Sequence, residues 1–175
     1  MDAPNSPPLD FRTLFELELA YVSRTLRRLG VAERDVEDLA HEVFLAVHKE
    51  LHKYDPARPL RPWLFAFCFG SASHYRRKAR RETVDGVAHE IEDGAEGADT
   101  LLDRERQRQL VLQALDGIEL ERRAVFVLHE LDGVNCEQIA VSLEIPVGTV
   151  YSRLRVARQE FTARVRRLSG KREAP

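Results

Sequence analysis

Apolar residues recur along this chain at intervals of three and four, a period that predicts helices almost throughout and leaves no strand-like alternation. From Asp10, the residues Leu14, Leu17, Tyr21, Leu26 and Leu29 keep mostly helical spacing until Gly30 supplies a stop. A second helix, from about Glu33 to His52, sets Leu39, Val43, Phe44, Val47 and Leu51 on one stripe. It leaves Asp38, Glu42, Leu45 and Lys49 on the other face. The pattern then breaks. Three prolines within seven residues make Tyr54 to Pro62 a loop, because proline removes backbone donors and restricts the residue before it. Trp63 opens a third helix, WLFAFCFGSASHYRRKARR, apolar at its start and carrying five Lys or Arg between 76 and 81. Such a helix can root one half in a core and turn the other toward a polyanion. Cations at a helix C-terminus are also favourable with no ligand at all.

The same period resumes over residues 101–115 and 120–131, and Asp132-Gly133 ends the run. A short helix from Cys136 to Leu143 comes next, with Ile139, Ala140 and Leu143 facing inward and Ala140 suited to the point where two helices cross. After the turn Glu144-Ile145-Pro146, the residues Val150, Leu154, Ala157, Phe161 and Val165 form one buried stripe at spacings of four, three, four and four. This is a helix-turn-helix pattern whose second helix is strongly basic. Tyr151, Arg155 and Arg158 lie on one face beside the stripe, and Thr149, Ser152 and Arg153 occupy the part able to approach bases or backbone. Arg can pair bidentately with guanine, Ser and Thr can bond phosphate, and a Tyr ring can pack on sugar or a thymine methyl. The fold class predicted is therefore all-α: two small helical domains, at 10–81 and 101–170, the second containing the helix-turn-helix.

Charge changes how these helices are connected. Eight Asp or Glu and no Lys or Arg fall between 82 and 103, with three glycines among them, so 82–100 is expected to be a flexible acidic linker. It explains how two basic modules coexist with a net charge of -2. No apolar run is long enough to span a bilayer, and MDAPNSPPLD lacks the regions of a secretory signal, so the expectation is a cytoplasmic chain without membrane insertion. Cys68 and Cys136 are far apart in apolar helical surroundings and are expected to be small core side chains. His41, His48 and His52 are spaced by seven and four, unlike a metalloprotease pair, and no glycine-rich phosphate cradle occurs. No catalytic residue, metal site or cofactor is expected, and the chain is not read as an enzyme.

Two segments sharpen the class. DVEDLAHEVFLAVHKELHKYDPARPLRPWLFAFCFGSASHYRRKARR, followed later by IPVGTVYSRLRVARQEF, closely resembles the sigma-70 family, specifically its small extracytoplasmic-function group built from a region 2 and a region 4. The resemblance implies a factor that binds core RNA polymerase and directs promoter recognition, promoter opening and transcription initiation. By position, Asp35, Asp38, His41, Glu42 and Leu45 correspond to the surface that docks on the polymerase. Tyr54, Asp55, Arg58, Arg61, Trp63, Gly70, His74, Arg76, Arg77 and Arg80 correspond to the part that meets the minus ten element, where a base is flipped into the loop before Trp63. Aromatic faces for bases and cations for phosphates are what a single strand requires. Thr149, Tyr151, Ser152, Arg153, Arg155 and Arg158 correspond to the part that meets the minus 35 duplex. An anti-sigma factor covering these faces is a further partner the resemblance implies.

The chain departs from the family pattern at five positions. Gly70 stands where Asn is usual, His74 where Asp is usual, His41 where Gln is common, and Tyr151 where Lys is frequent. Glu144 replaces the Gly usual at the end of the first motif helix, which costs roughly 1 kcal/mol if the backbone there has positive φ. Two rival functions stay open on sequence alone. A non-initiating DNA-binding regulator would need only residues 133–167, and a sigma-like protein that sequesters regulators would tolerate the changes at Gly70 and His74.

Overall fold

A computed structural model of the protein describes residues 10–84 and 99–170, with side chains described for 10–81 and 104–170. Its elements are α1 (Phe11–Arg28), α2 (Val36–Glu50), α3 (Leu60–Val84), α4 (Asp99–Asp116), α5 (Leu120–Phe126), α6 (Cys136–Ser142) and α7 (Val147–Gly170). No strand occurs among the described residues, as the apolar period requires.

Local chemistry accounts for the ends. Asp10 caps α1 by accepting from the Thr13 backbone N–H at 3.2 Å. At the other end Gly30 adopts φ +91°, so that Val31 N–H reaches back to the Leu26 carbonyl and Gly30 N–H to that of Arg27. The second predicted helix is α only from Val36 to Glu50, flanked by tighter 3-10 turns at Glu33–Asp35 and Leu51–Lys53. Helix α3 starts three residues before Trp63. Pro62 falls in its first turn, where backbone N–H groups have no intrahelical acceptor and proline removes nothing. That shortens the predicted loop to Tyr54–Pro59. Helices α3 and α4 also extend into the two ends of the predicted linker, whose remaining residues, 85–98, lie outside the described ones.

The predicted helix at 120–131 is not uniform. It is α to Phe126 and then a single π turn, Val127–Leu131, after which Asp132 N–H bonds the Val127 carbonyl at 3.0 Å. A π turn widens the helix and redirects the chain beyond it, which bears directly on where Asp132 points. In the helix-turn-helix, Asn135 caps α6 through Gln138 N–H at 2.8 Å. Glu144 then takes φ +53°, the left-handed conformation that its Gly-like position calls for.

The buried residues of all the helices join in one apolar cluster. Val22, Leu26, Phe44, Val47, Leu64 and Phe65 contribute from α1 to α3, and Leu115, Leu128, Ile139, Val150, Leu154 and Ala157 from the later elements. Along α7 the stripe expected to be buried is so at Val150, Leu154 and Ala157 but only half-buried at Phe161 and Val165, Phe161 packing its ring 4.7 Å from that of Phe126. Cys68 and Cys136 are both buried free thiols, and burial pushes the Cys68 thiol up to about 12. No helix among the described residues is long and apolar enough to cross a membrane. Helix α3 packs on α6 and α1 on α4, so the first three helices meet the helix-turn-helix unit across a seam.

Candidate nucleic-acid interface

Helix α2 buries Val36, Ala40, Val43, Phe44 and Val47, and this fixes its outward side. Asp38, His41, Glu42 and Leu45 are all exposed there, Leu45 at 63% of its surface. Asp35 does not join them. It lies in the 3-10 turn, half-buried, and its carboxylate accepts from the Tyr75 hydroxyl of α3 at 2.7 Å.

The loop before α3 is held by its own side chains. Asp55 accepts from Ala57 N–H at 3.0 Å, and the Tyr54 hydroxyl donates to the Arg58 carbonyl at 2.6 Å. The Tyr54 and Trp63 rings pack with centroids 4.9 Å apart, and Trp63 meets Phe67 at the same distance. Partial burial, helped by Asp55, holds the Tyr54 phenol above its usual range, so it stays a neutral donor. Trp63 is half-buried and anchors the loop through the Tyr54 ring. Arg58 is exposed within 3.6 Å of Asp55, whereas Arg61 reaches back to Glu18 at 3.1 Å and lies over the Tyr21 ring.

Beyond Trp63, spacings of seven, four and three bring Gly70, His74 and Arg77 onto the same face of α3, and all three are exposed. A Cβ at Gly70 would meet nothing within 4 Å, so no steric need explains the glycine. Arg80 is exposed as well, on an adjacent face. Arg76 is placed differently: it is half-buried, and its Nη1 is enclosed without a hydrogen-bond partner near Gly30.

On α7 the predicted residues separate into three groups. Tyr151, Ser152 and Arg155 are exposed on the side away from the core. The Tyr151 hydroxyl lies 3.4 Å from Glu137 Oε1 of α6, and the Ser152 hydroxyl donates to the Thr149 carbonyl at 3.0 Å. Arg155 makes no ion pair among the described residues. Arg153 and Thr149 are half-buried, Arg153 lining a shallow cavity with Glu119, Glu121 and Arg122 of α5 and its approach. Arg158 is bound within the chain, its Nε and Nη2 donating to Glu130 Oε1 at 2.8 and 2.6 Å. Burial raises the Glu130 carboxyl, but bonds from Arg158 and His129 outweigh it and hold the group below its usual range.

Sequence reasoning passed over two things. Arg166, eleven residues beyond Arg155 and so on the same side of α7, is exposed and unpaired among the described residues; the helical period alone would have found it. The second is a polar cluster on the seam. Asp132 accepts from the Tyr21 hydroxyl at 2.9 Å and from Arg28 Nη1 at 3.0 Å. Burial first, then the Asp132 charge, drives the Tyr21 phenol far above its usual range. Nearby, Arg123 is 1% exposed, donates to the Leu115 carbonyl and pairs with Asp116, each at 2.6 Å. Burial lowers its guanidinium to about 10. No sequence signal singled out this cluster, because Asp132 lies more than 100 residues from both Tyr21 and Arg28.

These surfaces have counterparts among known proteins. The Sigma-70 region 2 family matches residues 14–82, and the Sigma-70, region 4 family matches residues 108–161. The chain is similar to the ECF RNA polymerase sigma factor SigL of Mycobacterium tuberculosis, with 30% identity over 148 residues, 83% of each chain. It is similar to the RNA polymerase sigma factor NccH of Alcaligenes xylosoxydans xylosoxydans at 29% over 147 residues, 81% of this chain and 79% of that one. Among solved structures, CnrH in complex with the cytosolic domain of CnrY superposes with a TM-score of 0.60 at 27% identity, covering 87% and 85%. The sigma factor RpoE of Bartonella quintana, solved in complex with the anti-sigma factor NepR, shares the fold with a TM-score of 0.68 at 23% identity, covering 90% and 97%.

Proposed function

The chain belongs to the extracytoplasmic-function group of sigma-70 RNA polymerase sigma factors, and on that premise we propose which surface carries each step of initiation. Residues 10–81 act as the module for the polymerase and the minus ten element, and 101–170 as the module for the minus 35 element, joined through 82–100. Asp38, His41, Glu42 and Leu45 dock on core polymerase, the acids steering the encounter and Leu45 supplying a small apolar anchor. Asp35 supports that helix from behind through Tyr75.

Opening follows from stacking and charge. The loop Tyr54–Pro59, backed by the Trp63 ring, receives an unstacked base, while Arg58, Arg77 and Arg80 meet the phosphates of the opened strand. Gly70 and His74 lie on the same path, and the missing side chain at Gly70 leaves one base less closely read. On the duplex side, Tyr151 and Arg155 read or grip the minus 35 element, Ser152 lies beside them, and Thr149, Arg153 and Arg158 take supporting places at the edge of the contact. This chain forms no bond itself. Phosphodiester synthesis belongs to the polymerase, with which the chain works in the cytoplasm, and an anti-sigma factor is its further partner, as NepR is in the complex with RpoE of Bartonella quintana.

The observation that carries this reading is the division of α7. Val150, Leu154 and Ala157 lock the helix into the core, and Tyr151, Ser152 and Arg155 are left outward at its start. Run-off transcription with purified core polymerase and candidate promoters tests it: the full chain should give promoter-specific transcripts that core alone does not. Arg155→Ala should weaken minus 35 binding by about 1–3 kcal/mol while leaving core affinity intact. Core binding without a transcript on any promoter would support a sequestering protein instead.

A further inference from the structure

Apolar surface on the helix-turn-helix is not confined to its core. Val141 is 58% exposed, Val147 41% and Tyr151 54%, and beyond α2 these are the large apolar side chains that the fold leaves outward among the described residues. Two helical steps bring them together. Val147 and Tyr151 are four apart at the start of α7, and Glu137 and Val141 are four apart on α6, so each pair shares one face of its helix. The Tyr151 hydroxyl lies 3.4 Å from Glu137 Oε1, which sets these two faces against each other where α6 packs on α7. The result is a short apolar strip along the cleft between the two motif helices, with Glu137 at its edge.

Charge decides which part of a duplex such a strip can meet. A phosphate calls for a cation, and no Lys or Arg occurs from Ala124 to Ser152. The charges on α6 and the turn are instead Glu137 and Glu144, both exposed. The Tyr151 hydroxyl faces one of these carboxylates, whose charge holds the phenol above its usual range and keeps it neutral. What Tyr151 offers DNA is therefore its ring. A base edge carries no net charge, and in the major groove thymine presents a C5 methyl that apolar side chains contact. The strip also lies at the right end of the helix, because the N-terminal turns of a recognition helix are the ones that meet base edges. Val147 opens α7, and Gly148 beside it has nothing within 4 Å of where a Cβ would stand, so this end can approach the groove floor closely. Four residues of helix rise about 6 Å, less than two base steps of about 3.4 Å each, so Val147 and Tyr151 reach bases at neighbouring steps.

We propose that Val147 and Tyr151 read the C5 methyl groups of thymines at neighbouring steps of the upstream duplex, with Val141 closing the strip from α6 and Glu137 positioning the Tyr151 ring. The inference rests on the reading of α7 as the helix that meets the minus 35 element. It makes Tyr151 a residue that sets which base is accepted, whereas a lysine at the same place would hold a phosphate and carry no base preference. Arg155, on the adjoining outward face, stays available for guanine or phosphate.

The test uses holoenzyme assembled from core polymerase and the full chain. It first selects duplexes from a pool randomised over the minus 35 window. The selected duplex is then remade with single thymines replaced by deoxyuridine, which pairs identically and lacks only the methyl, and competition binding compares the two. In wild type, deoxyuridine at one or two neighbouring positions should weaken binding about fourfold each, the worth of one buried methyl-sized group. Tyr151→Phe should keep that preference. Tyr151→Ala should lose it at one position and Val147→Ala at the neighbouring one, as a pairwise contact requires. Tyr151→Lys should lose it too, while adding about 0.9 to the slope of log affinity against log salt. Glu137→Ala should strengthen binding to both duplexes by removing a charge and yet narrow the ratio between them, a split that a merely structural role would not produce. Deoxyuridine without effect at every thymine overturns the inference, as does a methyl effect of full size in both Tyr151→Ala and Val147→Ala; either result leaves the minus 35 reading standing. A holoenzyme that selects no upstream duplex overturns the minus 35 reading, and the inference with it.

Discussion

Glu144 offers a sharp test of how sequence and backbone disagree in this chain. It joins α6 to α7 at φ +53°, where an L side chain places Cβ against its own carbonyl at a cost of about 1–2 kcal/mol. The hydrogen bond from Ile145 N–H to the Ala140 carbonyl at 3.0 Å needs that conformation, so the chain cannot relax it without undoing the turn. The Glu144 side chain is exposed and makes no hydrogen bond or ion pair among the described residues that offsets the strain. Glycine removes the cost but adds freedom to the unfolded chain, worth about 0.4–1 kcal/mol in the opposite direction. The net expectation for Glu144→Gly is a gain of about 0.5–1 kcal/mol, or roughly 1–4 °C in Tm for a chain of this size. Thermal unfolding followed by circular dichroism measures it, with Glu144→Ala as the control that deletes the side chain and keeps the strain. The reasoning is refuted if the alanine variant gains as much as the glycine variant, or if glycine lowers Tm.

Three more outcomes are expected. Gly70→Asn should fit without displacement, since nothing lies within 4 Å of its Cβ; it should raise helix stability by about 0.3 kcal/mol and narrow the minus ten preference in permanganate footprinting across promoter variants. Arg158→Ala should weaken minus 35 binding less than Arg155→Ala does, because Glu130 already holds Arg158, and a larger loss than at Arg155 would contradict that pairing. The Tyr21 phenol, facing Asp132, Cys68 and the Arg61 carbonyl, has a folded pKa raised above the unfolded value of about 10. Its contribution to stability is thus complete below pH about 10 and is lost as pH rises toward the folded value, so alkaline denaturation should begin earlier in wild type than in Tyr21→Phe.

The helices were legible because each is amphipathic on its own, and α7 shows why: the spacing Val150, Leu154, Ala157, Phe161 needs no distant partner to be recognised. Pro62 misled the placement of α3 because a proline reads as a break, although in a first turn it costs nothing. The π turn at Val127–Leu131 left no local mark, since the same residues would serve an ordinary α-helix. Which cations remain available was even less readable. Arg158 and Arg155 look equivalent in sequence, and only the fold brings Glu130, 28 residues away, onto one of them. The same holds for Asp132, which reads as a turn former and becomes the centre of the seam through donors that lie in α1.

That redistribution of charge bears on how tightly this factor holds DNA by itself. Counterion release scales with the number of phosphates neutralised, each contributing a slope of roughly 0.9 in log affinity against log salt. On α7, Arg158 is bound to Glu130 and Arg153 lies against α5, which leaves the exposed Arg155, Arg166 and Arg167 unpaired among the described residues. Tyr151 adds a ring where a lysine would add a charge, and its hydroxyl faces Glu137. Three unpaired cations imply a slope of at most about 2.7, so binding of the isolated minus 35 element is weak and only modestly salt-dependent. Useful occupancy then has to come from tethering: once region 2 is docked on polymerase, the second module meets its element at a high effective concentration and a weak contact suffices. A factor built this way stays off promoters until polymerase carries it there.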